Sequence, residues 1–586
     1  MTYQAPVDDI FFALKTAGGL DEFLTAGTFD GLDEDTVRAV IEEAGNFGAD
    51  VLAPLNWSGD RAGSKLANGQ VQTPTGFAQA YKAFADGGWS ALPCPTEYGG
   101  QGLPEIVAMA VCEIWNAANL SFGLCPLLTQ GAIDAISVGG SDALKAAYLP
   151  NMISGKWTGT MNLTEPHAGS DLSALTTKAA RHADGNYRIN GTKIFITFGD
   201  HEMTENIIHL VLARLPDAPP GTRGISLFLV PKYLVNADGS LGARNDVVCV
   251  GLEHKLGIMA SPTCVMQFGD KGGAVGYLVG EENRGLATMF VMMNAARLAV
   301  GVQGVAIADR ATQRAIAYAK DRRQSRAGDV ASSPIIAHPD VRRMLLTMRA
   351  QTQAARMICM ATAREMDLSH HAATAPEREA AAQRAALLTP IAKGYGTDIG
   401  VEVASLGIQV HGGMGFVEET GAAQHWRDSR ILPIYEGTNG IQAIDLVMRK
   451  LPLGGGAVVR AHIATLAGIA QTAAASNRPE LGKTGLRLQE AVAALDDATN
   501  WMLDALRTRP EAALAGATPY ARLFGLATGA AYLAKGALAE PDGASGHAGL
   551  ARFFAENILP QAEGLASSVT DGADAVLATP IERTTA

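Results

Sequence analysis

Apolar residues recur at three- and four-residue spacing from the start of the chain to about Met152, as in Thr36-Val-Arg-Ala-Val-Ile-Glu-Glu-Ala44 and Gly76-Phe-Ala-Gln-Ala-Tyr-Lys-Ala-Phe84, which predicts amphipathic helices. One segment interrupts them: Pro93-Cys-Pro-Thr-Glu-Tyr-Gly-Gly-Gln-Gly-Leu-Pro104 is too rich in Pro and Gly for a regular element. Between about Trp157 and Gly280 the period changes. Runs such as Tyr187-Arg-Ile-Asn190, Lys193-Ile-Phe-Ile-Thr197, Ile207-Ile-His-Leu-Val-Leu212, Ile225-Ser-Leu-Phe-Leu-Val230 and Cys264-Val-Met-Gln-Phe268 alternate or carry β-branched residues. No long helical segment separates them, so they predict an antiparallel β domain, with Asp184-Gly-Asn186 as a hairpin turn. Helical spacing returns after Gly285 and holds to about Lys450, as in packed antiparallel helices. Leu451-Pro-Leu-Gly-Gly-Gly456 reads as a linker, and the Ala-rich remainder is helical with breaks at Arg509-Pro510 and Glu540-Pro-Asp-Gly-Ala-Ser-Gly546. The pattern predicts an α+β multidomain chain: a helical domain over 1–156, a β domain over 157–280, a helical bundle over 281–450 and a further helical domain over 457–586. Packing between subunits is the role expected of that last domain.

Charge narrows the function. With 47 Lys and Arg against 59 Asp and Glu, the net −12 repels polyanions, so a nucleic-acid partner is not expected. The six cysteines include no C-x-x-C pair and read as buried thiols in a reducing compartment. The N-terminus carries no targeting pattern, and the apolar run Met289–Ala308 is interrupted by Asn294, Arg297 and Gln303, so a cytoplasmic protein without a membrane span is expected. His370-His371 makes no metal spacing with nearby acids, and no metal site is expected.

Three stretches carry candidate chemistry. Leu163-Thr-Glu-Pro-His-Ala-Gly-Ser-Asp-Leu-Ser-Ala174 gathers hydroxyls, glycine and free backbone amides, able to cradle a phosphate or meet a heterocycle edge; alone it is an ordinary turn. Phe195 and Thr197 lie two apart on a strand, so a ring can stack where a hydroxyl is at hand. Gln409-Val-His-Gly-Gly-Met-Gly-Phe416 follows a helix and lacks the full G-x-G-x-x-G, which rejects a Rossmann site in favour of a helix end with close backbone approach. It is followed by Trp426-Arg-Asp-Ser-Arg-Ile-Leu-Pro-Ile-Tyr-Glu-Gly-Thr-Asn439.

Taken together and in this order, the Leu163–Ala174 stretch and Gln409-x-x-Gly-Gly-x-Gly-Phe416 with Glu419 and Asp428 resemble the two signature motifs of the acyl-CoA dehydrogenase family. Tyr98-Gly-Gly-Gln-Gly, Glu253-His-Lys-Leu-Gly-Ile-Met-Ala-Ser261 and Ile434-Tyr-Glu-Gly-Thr438 extend the likeness over roughly residues 80 to 450. Asn162, Phe195, Met259 and Gln424 depart from the family's usual residues. The resemblance implies FAD, an N-terminal helical domain, a middle β domain and a C-terminal four-helix bundle. It implies Leu163 and Thr164 at the flavin ring, Gly169 and Ser170 at the phosphates or the substrate entry, and Phe195 and Thr197 flanking the ring. Arg322, Gln409, Gly412 and Gly413 would reach the cofactor of a neighbouring subunit, with Thr438 and Asn439 on the adenosine side, so a homodimer or homotetramer is implied. Asn294, Arg297 and Gly437 would contact substrate with Ser170.

Glu436 is the expected base, since taking an α-proton from a thioester needs one carboxylate facing the acyl group. Relatives with the base on an earlier helix would carry it near Ala296. The opening Tyr3-Gln-Ala-Pro-Val-Asp-Asp-Ile-Phe-Phe-Ala-Leu14 and the Ala-rich tail resemble a bacterial subgroup acting on 3-methylmercaptopropionyl-CoA in dimethylsulfoniopropionate breakdown, with an electron-transfer flavoprotein as acceptor. A general short- or medium-chain acyl-CoA dehydrogenase, an acyl-CoA oxidase and a non-catalytic CoA-binding paralogue stand as alternatives.

Overall fold

The computed structural model describes residues 3–328, 332–540 and 546–582. The N-terminal helices include α1 (Val7–Thr16), α2 (Phe77–Asp86), α3 (Glu105–Ala118) and α4 (Leu120–Gly139). Asn119 separates the last two: its backbone is extended, and its side chain caps α4 by accepting from the Phe122 amide at 3.1 Å. The chain therefore doubles back as an antiparallel pair. An unexpected element in this helical region is a two-stranded hairpin, Lys65–Ala67 with Gln70–Gln72. Asn68 and Gly69 both take positive φ, the two-residue turn that suits the twist of short antiparallel strands.

The middle domain is built on an eight-stranded sheet of β1 (Trp157–Asn162), β2 (Lys178–Arg181), β3 (Tyr187–Thr197), β4 (Asn206–Arg214), β5 (Ile225–Pro231), β6 (Val247–Leu252), β7 (Thr263–Phe268) and β8 (Ala274–Val279), beside a small hairpin of Tyr233–Val235 with Leu241–Arg244. Its order is β6-β7-β3-β8-β5-β4-β1, and β2 bridges β3 and β4, which curls the sheet toward a barrel. The expectation of purely antiparallel pairing needs correction, because β1 runs parallel to β4 in the register Trp157↔Asn206 to Asn162↔Val211 and Lys178 of β2 meets Arg214 in parallel. β1 ends at Asn162 and β4 begins only at Asn206, so the chain between them, running through β2 and β3, is long enough to return in the same direction.

Three long helices form the bundle: α5 (Gly285–Asp321), α6 (Pro339–His371) and α7 (Ala375–His411). Thr374 and Glu377 start α7 with a reciprocal capping box. The short helices α8 (Ala422–Ser429) and α9 (Asn439–Asp445) pack on α7. Glycines set the bundle's closest approach: a Cβ on Gly304 would lie 2.2 Å from the Gly396 carbonyl oxygen, and one on Gly301 2.6 Å from that of Ala392. Only glycine lets α5 and α7 touch backbone to backbone there.

Gly454, Gly455 and Gly456 all take positive φ and turn the chain into the appended domain, which contains α10 (Ala457–Ala475), α11 (Thr484–Thr508), α12 (Ala517–Ala539) and α13 (His547–Asn557). α12 lies on the chain's own bundle, with Gly525 against Tyr395 and Gly529 against Ala354. α4 and α5 are long and apolar enough to cross a bilayer, but most of their most apolar windows are covered within the fold; Leu453–Ala475 also qualifies and is one-third covered.

Candidate active site

Glu436 sits in the loop between α8 and α9, at φ +55, followed by Gly437 at φ +86. A glutamate in the left-handed region is strained by about 1 kcal/mol or more, a cost borne where surrounding contacts fix the loop. Such contacts surround this loop. Lys393 of α7 donates from Nζ to the Gly437 carbonyl at 2.8 Å and to Asn439 Oδ1 at 2.9 Å, and Gln442 Nε2 donates to the Glu436 carbonyl at 3.2 Å. Gly437's φ of +86 lies in the left-handed region that favours glycine. Tyr435 donates its hydroxyl to Gln303, whose amide donates to Asn116 Oδ1 at 3.0 Å.

The electrostatics suit a base. Burial raises the Glu436 carboxyl above its ordinary value, while the nearby Arg297 and Lys393 charges pull it back. Burial likewise brings Lys393 down to about 7. Arg297 is almost fully covered, its guanidinium 3.9 Å from Asp445 and its Nε without a protein partner. Asn294 stands half-buried one turn earlier on α5. Beside Arg297, Ala295 and Ala296 wall a cavity of about 90 Å3 between α2, α3, α4 and α5, whose apolar lining includes Phe84, Met109, Trp115 and Leu127. Ala296, where an alternative base would stand, carries no carboxyl into it.

The β domain contributes a second group. The Leu163 carbonyl accepts from Lys193 Nζ at 3.0 Å and the Thr164 carbonyl from the Ile194 amide at 2.9 Å. Lys193 also pairs with buried Glu165 at 2.8 Å, and Glu165 accepts from the amides and hydroxyls of Thr176 and Thr177. The loop's backbone is therefore held while Gly169 and Ser170 stay exposed. A register slip in the β3–β7 pairing leaves Phe195 at φ +60 and 57% exposed, with Ile196 buried between it and half-buried Thr197.

Arg322, Gln409, Gly412 and Gly413 gather elsewhere, at the C-terminal ends of α5 and α7, where Tyr318 stacks on His411. Arg297 and Arg322 are 25 residues apart on one helix, roughly 37 Å at 1.5 Å per residue, so this chain does not bring them together. Nothing lies within 4 Å of a Cβ built on Gly412 or Gly413. Thr438 caps α9 by accepting from the Ile441 amide at 3.2 Å. Asn439 is committed inward, donating to Gly394, Thr397 and Asp398 while accepting from Lys393. Gln424 also faces inward, bonded to Asn56 and to buried Asp428, which accepts from the Ile258 amide.

Sequence reasoning missed Lys393, Gln303, Asn116 and Gln442. The signal for the first was a lone lysine in the small-residue stretch Pro390-Ile-Ala-Lys-Gly-Tyr-Gly-Thr397, where a buried cation demands a partner.

The chain belongs to the acyl-CoA dehydrogenase family and is an oxidoreductase. It matches the acyl-CoA dehydrogenase N-terminal domain over 34–156, the middle domain over 160–270 and the C-terminal domain over 283–451, followed by an acetyl-CoA dehydrogenase C-terminal-like domain over 465–580. It is 50% identical to the 3-methylmercaptopropionyl-CoA dehydrogenase of Ruegeria pomeroyi, over 98% of this chain and 99% of that protein. A butyryl-CoA dehydrogenase of Syntrophomonas wolfei is 37% identical over 79% of this chain and 78% of its own. In fold it is similar to Caenorhabditis elegans ACDH-11, solved in complex with C11-CoA (TM-score 0.80, 20% identity, 99% and 96% covered), and to a Bacillus anthracis acyl-CoA dehydrogenase complexed with FAD (TM-score 0.76, 20% identity, 92% and 89% covered).

Proposed function

We propose that this chain is an FAD-dependent dehydrogenase of 3-methylmercaptopropionyl-CoA, giving 3-methylthioacryloyl-CoA, with Glu436 as the base. The observation that carries the mechanism is the Glu436 carboxyl, half-buried on a strained and tethered loop beside the Arg297 guanidinium. The residue geometry fits the cofactor. Phe195 offers an uncovered aromatic face, the Leu163–Thr164 backbone is fixed beside it, and Gly412 and Gly413 leave an open backbone surface. FAD, when bound, supplies the acceptor for the β-hydride.

The chain's own part is proton chemistry and positioning. The α-C–H bond breaks, its proton goes to a Glu436 carboxylate oxygen, and its electron pair forms the α,β double bond as the β-hydrogen departs with two electrons. Arg297 and Lys393 keep the base ionised against burial, while the apolar cavity wall excludes water from the acyl group. The 50% identity over nearly all of both chains supports the particular substrate. Because Arg322, Gln409, Gly412 and Gly413 stand so far from Glu436, the site is completed by a second copy of the chain, and the enzyme works as a homodimer or larger homo-oligomer in the cytoplasm. An electron-transfer flavoprotein is the acceptor; a solved chain 25% identical to this one comes from work on the electron-transferring flavoprotein of Acidaminococcus fermentans.

Anaerobic titration with 3-methylmercaptopropionyl-CoA and butyryl-CoA, following flavin absorbance, tests this reading. Wild type is expected to bleach, faster with the thioether substrate, and Glu436→Gln to remain oxidised. Equal bleaching in both proteins would overturn the assignment of Glu436.

A further inference from the structure

Two cations face the base loop, and each is drawn to another partner. Lys393 of α7 donates to the Gly437 carbonyl and to Asn439 Oδ1. Arg297 of α5 spreads its guanidinium fork between two neighbours. Nη1 lies 3.9 Å from Asp445 Oδ2, and Nη2 lies 3.9 Å from the place a Cβ on Gly437 would take, next to Glu436. Its buried Nε has no partner. Among the described residues, Asp445 is the one acid within 4 Å of Arg297, and no ammonium or guanidinium nitrogen comes that close to the Glu436 carboxyl. A covered arginine beside an ionised carboxylate would ordinarily close on it, because the forked, charge-assisted pair is the strongest contact open to both.

Asp445 stands where it can prevent that closure. It ends α9, and its side chain and that of Arg297 are each 8% exposed. Its Oδ1 accepts from Arg449 at 3.3 Å, while Oδ2, without a hydrogen bond, lies between Arg297 Nη1 and Lys450 Nζ, the latter at 3.7 Å. Three cations around one carboxylate keep it ionised, and at 3.9 Å it draws the guanidinium by charge rather than by a bond. α9 thus carries both diverting groups: Asn439 at its start takes Lys393, and Asp445 at its end draws Arg297. Asn439 also donates to Asp398 of α7 at 2.7 Å, which fixes the helix that presents them.

Resting on the dehydrogenase reading above, with Glu436 as the base, we infer that Asp445 is a positioning residue for the reaction: it holds the Arg297 guanidinium off the Glu436 carboxylate, so that the base stays charged but unpaired. A carboxylate closed into a forked pair has its lone pairs occupied, and proton transfer must first break that pair. Held at its observed distance, the same arginine favours the ionised form and leaves the carboxylate oxygens open to the α-proton.

The pH dependence of kcat/KM for 3-methylmercaptopropionyl-CoA tests the inference. The groups facing Glu436 are Arg297 from α5, Lys393 from α7 with Asp398 behind it, Tyr435 in the loop, and Asp445 with Arg449 and Lys450 beyond Arg297. Asp445→Asn changes one of them and is expected to let Arg297 close on the base. The acid limb should move to lower pH by about one unit or more, the displacement an adjacent arginine gives a carboxylate, and kcat on the plateau should fall about tenfold. A merely structural role would lower the plateau without moving the limb. Asp445→Glu, which restores the charge, should return the limb toward its wild-type position. In an Arg297→Met background Asp445→Asn should leave the limb where Arg297→Met places it, since the arginine through which it acts is gone. Flavin absorbance identifies folded protein, and Asp445→Ser gives the same reading should Asp445→Asn hold no flavin. An acid limb unmoved or raised in the flavin-loaded variant overturns the proposal. Wild type that turns over no acyl-CoA, or Glu436→Gln as active as wild type, overturns the dehydrogenase reading itself.

Discussion

Lys393 donates to the carbonyl oxygen of Gly437, 2.8 Å away, and thereby ties the middle of a bundle helix to the residue after Glu436. The lysine is fully buried, and its remaining reach is spent on Asn439. The close approach of α5 and α7 at Gly301 and Gly304 sets the distance between Arg297 and Lys393, the two cations acting on one carboxyl. The site's electrostatics are thus fixed by packing far below the loop.

Lys393→Met is expected to free the base loop without removing the base. Its carbonyl and amide partners lose their donor, and Asn439 Oδ1 keeps only Thr397. We expect kcat to fall about tenfold or more, with faster hydrogen exchange over 433–440, since a poorly held catalytic group loses its geometry. Exchange at wild-type rates would show that Gln442 and Asn439 hold the loop unaided.

The pH profile follows from the sign of the Glu436 shift. The base acts ionised, so kcat/KM rises with pH through its raised pKa. Arg297 lowers that pKa, so Arg297→Met moves the acid limb to higher pH. Glu436→Gln removes the limb with the activity, at a cost of about 100- to 10,000-fold. These profiles, measured with saturating acceptor, distinguish a charge effect from a folding defect, which would lower the rate at every pH.

Much of this was legible in the sequence. The switch of apolar period at Trp157 and back after Gly285 marks the β domain because a half-buried strand and a packed helix bury different repeats. Long-range geometry was not legible. The parallel β1–β4 pair depends on a connection whose path no local pattern records. Asn68-Gly69 was a hairpin signal flanked by strands of three residues, too short to alternate visibly. Lys393 gains its role from glycines on a different helix.

Glu165 and Lys193 support the loop that presents Leu163 and Thr164. The adjacent ammonium and the Thr176 and Thr177 donors hold the Glu165 carboxyl down to about 2, despite burial. Its contribution to stability is complete above the ordinary carboxylate value and is lost as pH falls toward 2. Glu165→Gln leaves Lys193 buried beside an uncharged group, and breaking such a pair costs about 3–5 kcal/mol. The expected result is a lower melting temperature and a reduced flavin-to-protein ratio after purification; full flavin content would show that Ile194 alone fixes the loop.

His547 connects the appended domain to the N-terminus. Its ring stacks on Phe12 of α1 at 3.6 Å and lies between Asp9 at 3.2 Å and Glu540 at 2.7 Å. Those carboxylates raise its pKa above the ordinary histidine value against the opposing effect of burial. A raised folded pKa means that the charged ring stabilises the fold fully below about 6.5, its unfolded value, and that this support fades as pH climbs through the folded one. Wild type should therefore lose thermal stability over that window, while His547→Gln, which keeps hydrogen bonding without titrating, should show a flatter profile, the two differing by about 1 °C at the acid end. Equal slopes in calorimetry would mean that stacking on Phe12, rather than charge, joins the appended domain to the N-terminal helix.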